Sequence, residues 1–144
     1  MSQTVESRLL ICYKGDISAL VLFAQQANGS ICFPQPLPPL SSPLDTVTPS
    51  ADKVSTHPAM LLNQINQQLQ LDNDWLRIES GFSEYVAVPG GVVHLSLARF
   101  TCLDPPHQLM QSRHCHLRTL PELRSVAPTE LELLRRAYSR LMEG

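Results

Sequence analysis

The stretch from His57 to Asp72, HPAMLLNQINQQLQLD, carries no Lys, Arg, Asp or Glu before its final residue. That excludes the usual solvated helix face, which mixes acidic and basic side chains for hydration and pairing. The chain as a whole also lacks a basic patch. With a net charge of -2 and an isoelectric point near 6.2, it shows no electrostatic footprint for nucleic acid. No apolar run approaches the roughly 20 residues that a membrane-spanning helix needs. The opening MSQTVESR has neither the basic start nor the apolar stretch of a signal peptide, so a cytoplasmic location is expected. Cys12, Cys32, Cys102 and Cys115 show no C-x-x-C spacing, and reduced, mostly buried thiols are expected. Nor does the sequence set a covalent nucleophile beside a base.

What is present suits one domain spanning residues 1–144, since 43% hydrophobic content in 144 residues can build a real core. At about 100° per residue, Leu61, Leu62, Ile65 and Leu69 fall on one side of a helix, and Asn63, Gln64, Gln67 and Gln70 on the other. This helix is amphipathic but neutral. Before it, Arg8–Tyr13 and Ala19–Ala24 read as a β-hairpin around Lys14-Gly15-Asp16, and Ile31–Phe33 as a short third strand stopped by Pro34. The proline-rich segment 34–56 reads as an extended surface loop. Its P-x-x-P pattern has no flanking Arg or Lys to support a polyproline ligand.

After the helix, Trp75–Ser80, Phe82–Val88 and Val92–Phe100 alternate as strands do, with Pro89-Gly90-Gly91 as a turn. Val93, Leu95, Leu97 and Arg99 share one face of the last strand, and His94 sits on the other as a hydrogen-bonded sheet residue. Asp104-Pro105-Pro106 opens an irregular segment leading to a short strand, His116–Leu120, and one helical turn at Pro121–Arg124. Cys102, His107, His114, Cys115 and His116 are soft or borderline ligands close in sequence, but they lack zinc-finger spacing, so no metal site is expected there. Thr129 and Glu132 fit a capping box for a terminal helix that packs Leu131, Leu134, Tyr138 and Leu141 on the sheet. Arg135, Arg136 and Arg140 suit the C-terminal end of its dipole.

The order of elements implies a mixed sheet covered by helices, an α/β domain. Asn63–Leu71, N-Q-I-N-Q-Q-L-Q-L, resembles a degenerate copy of the Nudix-box core R-E-U-x-E-E-x-G-U, where U is aliphatic. Ile65 and Leu71 keep the aliphatic positions. Asn63 stands where the family has arginine, Gln64, Gln67 and Gln68 where it has glutamates, and Gln70 where it has glycine. Cys32-Phe33-Pro34 is similar to the family's strand into a proline and paired glycines, but Gln35 and Pro36 replace the glycines. VPGGVVHLSLARF and RTLPELRSVAPTELELLRRAY resemble its later core strand and C-terminal helical end.

The resemblance implies a Nudix-like α/β/α sandwich with a mixed β-sheet. In the family, the glutamates hold magnesium or manganese at a nucleoside diphosphate linked to another moiety, which is hydrolysed. Replacing those carboxylates with amides removes the Coulomb attraction for the ion and any general base on the helix, at nearly unchanged size and helix propensity. The expectation is a non-catalytic module, without catalytic residues or cofactor, that binds a nucleotide-like small molecule or another protein. Asn63, Gln64, Gln67, Gln68, Glu84 and Arg99 are the candidate binding residues. The alternative is a Mg- or Mn-dependent hydrolase drawing on Glu79, Glu84, Asp72 and Asp74. A neutral amide face also suits burial against a second copy, so a homodimer through this helix is a further expectation.

Overall fold

The computed structural model describes residues 6–16, 18–44 and 57–143. The second half of the proline-rich segment, 45–56, lies outside the described residues. Strands β1 (Glu6–Lys14) and β2 (Val21–Gln26) form the expected antiparallel hairpin, with Cys12 opposite Phe23 and Lys14 opposite Val21. β3 is short, Ser42–Pro43, and helix α1 spans Pro58–Leu69. There follow β4 (Leu76–Ile78), β5 (Glu84–Val88) and β6 (Gly91–Phe100). Helix α2 (His107–Ser112), β7 (Cys115–Arg118), a single 3₁₀ turn at Pro121–Leu123 and helix α3 (Pro128–Glu143) complete the chain.

The strands form one seven-stranded sheet in the order β3-β5-β6-β1-β2-β7, with β4 also paired to β6. β1 and β6 run parallel along their lengths, from Glu6 opposite Val93 to Cys12 opposite Arg99. The other strand pairs are antiparallel, so the sheet is mixed. Side chains alternate across a strand, and this divides the core in two. Leu10, Cys12, Val93, Leu95 and Leu97 pack with Leu133, Leu134, Ala137 and Leu141 of α3. On the opposite face, Leu9, Ile11, Tyr13, Ala98 and Phe100 pack with Leu61, Ile65 and Leu69 of α1 and Met110 of α2. The result is an α/β/α sandwich. Among the described residues, no helix is long and apolar enough to cross a membrane.

Several expectations are corrected. Ile31–Phe33 is not a strand but a single bridge, in which Leu9 and Phe33 exchange backbone hydrogen bonds of 2.8 and 2.9 Å. Pro34 has no N–H to continue the ladder. The segment after it is more than a surface loop, because Leu37 is buried in the α3-side core and Ser42–Pro43 pairs with β5 at the sheet edge, where proline is tolerated. The irregular stretch after Pro106 holds α2, whose two turns give too little periodicity to read. Thr129 does not cap α3. The helix already starts at Pro128, two residues before the start that a Thr129 cap implies, and the Thr129 hydroxyl donates to the Ser41 carbonyl at 2.6 Å. Leu134 and Leu141 are buried as expected, joined by Leu133 and Ala137, whereas Leu131 and Tyr138 are only partly buried.

α1 begins at His57, whose Nδ1 accepts the Ala59 N–H at 3.1 Å, and ends where Gln70 adopts the left-handed conformation at φ 54°. An L-residue there bears a steric cost that glycine avoids. Gln70→Gly is therefore expected to stabilise the fold by about 0.5–1 kcal/mol, seen as a higher urea midpoint at unchanged m-value. Arg113 holds this end, donating to the carbonyls of Leu69 at 2.6 Å and Gln70 at 3.2 Å.

Candidate functional site

The residues singled out in the sequence fall in three places. The first is the outer face of α1. Ile65 is 0% exposed and Leu71 8%, so the two aliphatic positions of the box-like motif are core. Asn63, Gln64, Gln67 and Gln68 are exposed, and their side chains make no hydrogen bond among the described residues. Met60, Asn63, Gln64 and Gln67 line a shallow hollow of about 320 Å³. Asn66, at the variable position of the motif, turns inward, and its buried Oδ1 has no partner among the described residues.

The second place is the opposite face of the sheet, beside α3. Glu84 lies there because it is opposite Leu95 in the β5–β6 register. Its carboxylate accepts from Arg136 Nη1 at 3.0 Å, and the same nitrogen donates to the Leu44 carbonyl at 2.8 Å. Arg136 also pairs with Glu132 at 3.5 Å. Glu84 is thus a tie between sheet and helix and does not meet the α1 amides.

The third place holds Arg99. It continues the face of Val93, Leu95 and Leu97, so it opens on the α3 side and away from α1. At the C-terminal ends of β1 and β6, Lys14, Asp16, Arg77, Glu79, Arg99 and Thr101 help line a cleft of about 310 Å³. Sequence reasoning missed Lys14, Asp16 and Arg77. The pairing of Arg77 with Arg99 across β4 and β6 depends on a register that no local signal reveals.

Of the carboxylates named for the alternative, Glu79 lies in this cleft, Glu84 in the Arg136 pair, and Asp72 and Asp74 are exposed in the turn after α1. Among the described residues, no three His, Cys, Asp or Glu side chains gather to hold a metal ion. His107, His114 and His116 are exposed while Cys115 is buried, so that ligand set is split between surface and core. All four cysteines are free, and burial pushes the Cys12 thiol up to about 12.

One pairing was absent from the sequence reading, which found no nucleophile beside a base. Ser83 Oγ and His94 Nε2 lie 2.8 Å apart, with the Tyr85 ring centred 4.8 Å from the imidazole. His94 is the sheet residue that the alternation implied, and it is buried. Among the described residues its Nδ1 has no partner to orient the ring as a general base requires. Burial lowers its pKa from the ordinary 6.5. The neutral ring therefore favours folding above pH 6.5, and that contribution is lost as pH falls below it. His94→Gln keeps a partner for Ser83 but cannot titrate. Over pH 5–7, the stability difference between wild type and variant is expected to rise with pH, as denaturant melts would show.

By structure, the chain is similar to a crystal structure of C. elegans Ap4A hydrolase, with a TM-score of 0.55 and 17% sequence identity over 96% of this chain and 98% of that one. The fold is Nudix-like, a mixed sheet between helices. No protein-family profile matches the chain, and no curated relative matches it by sequence. The likeness carries the architecture, so the chemistry must be argued from the residues present. Magnesium takes hard oxygen ligands and is normally anchored by one or two carboxylates. The α1 face presents uncharged amides on exposed side chains. That donor set does not fit a resident Mg²⁺ or Mn²⁺.

Proposed function

We propose that this chain is a Nudix-like domain that binds a nucleotide-like small molecule without metal-dependent hydrolysis. The observation that carries the reading is the outer face of α1, where Asn63, Gln64 and Gln67 line a hollow and Gln68 stands exposed beside them. Each glutamine amide offers two donors and an acceptor, suited to phosphate, ribose or base oxygens. None of them can take a proton from water near neutral pH, so this face supplies recognition without a general base.

The test is a thermal-shift screen with Ap4A, nucleotides and nucleotide sugars, each with Mg²⁺ and with EDTA, followed by a cleavage assay on every hit. A ligand at 100 times its dissociation constant should stabilise the fold by about 2.7 kcal/mol. The expected result is a shift of equal size in both buffers with intact ligand recovered. Cleavage that needs the metal would overturn the reading in favour of a divalent-metal-dependent hydrolase, with Glu79 and Asp16 in the cleft as the first carboxylates to replace. No shift with any nucleotide would move the amide face to protein contact.

A further inference from the structure

The cleft at the C-terminal ends of β1 and β6 has a charge arrangement that folding alone does not account for. Arg77 and Arg99 are direct partners across the antiparallel β4–β6 pair, so their side chains leave the same face of the sheet side by side. Like charges directly opposite each other on one face destabilise a sheet. Lys14 adds a third cation to the same cleft.

The compensation within the chain is thin. Arg99 Nη2 reaches Asp16 Oδ1 at 3.3 Å and the Lys14 carbonyl at 3.4 Å, both long, and the Asp16 side chain is 72% exposed. An ion pair so wet is worth little. The side chains of Arg77 and Lys14 make no hydrogen bond or ion pair among the described residues. Glu79 lines the cleft, leaving three cations against two carboxylates. Two other arginines are tied down: Arg136 meets Glu84 and Glu132, and Arg113 meets two carbonyls.

We infer that this cleft is a binding site for a small phosphate anion, free or as the phosphate group of a larger molecule. Two neighbouring guanidinium groups present planar forks that match phosphoryl oxygens, and the lysine adds a mobile point charge. A bound anion would convert the repulsion between Arg77 and Arg99 into shared attraction. A site that is destabilising when empty is the expected signature of residues kept for binding. The cleft shares no lining residue with the amide hollow, and Arg77 and Arg99 leave the face of the sheet away from α1, so this site is separate from that hollow and stands whether or not it binds nucleotide.

The test is calorimetric titration with inorganic pyrophosphate, and with adenosine as a phosphate-free control, into wild type, Arg77→Gln, Arg99→Gln, Arg135→Gln and Gln67→Ala. The expected result is saturable pyrophosphate binding to wild type, weakened by added salt and at least about tenfold weaker in Arg77→Gln and Arg99→Gln. Arg135→Gln should bind pyrophosphate as wild type does, and any response to adenosine should not depend on Arg77 or Arg99. Without ligand, Arg77→Gln should melt at or above the wild-type temperature, which also reports that it folds. Absence of saturable binding to wild type would overturn the proposal, as would wild-type affinity in both cleft variants. Weakening confined to Gln67→Ala would place the anion at α1 and overturn it equally.

Discussion

Glu130→Ala is expected to lower stability by about 3 kcal/mol, a fall of roughly 10 °C in melting temperature for a chain of this size. Glu130 lies in the first turn of α3 and is 6% exposed. Its Oε1 accepts the Ile31 N–H at 2.8 Å, and both carboxylate oxygens accept from Ser30 Oγ at 3.2 Å. Ser30 Oγ in turn accepts the Cys32 N–H at 3.1 Å. One side chain thus satisfies the irregular segment that crosses beneath α3, where no strand ladder is available. Alanine would leave the Ile31 N–H buried without an acceptor, and unmet buried donors carry their full desolvation cost. Glu130→Gln keeps one acceptor oxygen and should lose only about half as much.

The pH dependence has a definite sign. Burial raises the Glu130 pKa above the ordinary 4.5, against the lowering effect of the bonds from Ile31 and Ser30. A raised carboxyl pKa favours the folded state most below pH 4.5, and that contribution is lost as pH rises through the folded value. The stability advantage of wild type over Glu130→Gln should therefore shrink from pH 4.5 upward. His94 acts with the opposite sign, which is why each must be compared with its own variant.

The second large effect is a gain. Combined Gln64→Glu, Gln67→Glu and Gln68→Glu should create divalent-metal affinity where wild type has little. The three positions are three, one and four residues apart along α1, so all point to the same outer face. Like charges at the three- and four-residue spacings cost about 0.2–0.5 kcal/mol per pair without metal, and the triple variant should melt slightly below wild type in EDTA. Added Mn²⁺ should reverse that order. A gain of at least about tenfold in Mn²⁺ affinity, equivalent to roughly 1.4 kcal/mol, is expected by titration. If the variant folds and binds Mn²⁺ no better than wild type, the missing carboxylates are not what separates this face from a metal centre.

Much of the architecture was legible because the strongest elements carry local signals. The runs RLLICY and ALVLFA around Lys14-Gly15-Asp16 announce a hairpin, VVHLSLARF alternates through both cores, and the Leu61, Ile65, Leu69 spacing fixes the buried face of α1. What failed was short or non-local. α2 is six residues long and follows two prolines, without a side-chain cap to mark it. Thr129 and Glu132 had capping-box spacing, yet Pro128 is itself suited to the first turn, which moved the start back.

The site was less legible than the fold. Asn63, Gln64, Gln67 and Gln68 were readable as an exposed set because helical period alone places them. Glu84 and Arg99 were named with them on the expectation that they opened towards the helix or the sheet face beneath a substrate, but strand register puts both on the far side of the sheet. The Ser83–His94 contact, the Arg77–Arg99 pair and the Glu130 anchor each join residues brought together by register or packing. No periodicity within one segment encodes such partners.

On the function proposed above, α1 presents recognition groups and no metal centre. Titrating Mn²⁺ into the wild-type protein, with free ion followed by its paramagnetic resonance signal, tests this most directly. The account predicts that free Mn²⁺ rises in proportion to added Mn²⁺ across the micromolar range, with no saturable uptake. Uptake of about one ion per chain, lost on replacing Gln64, Gln67 or Gln68, would contradict it.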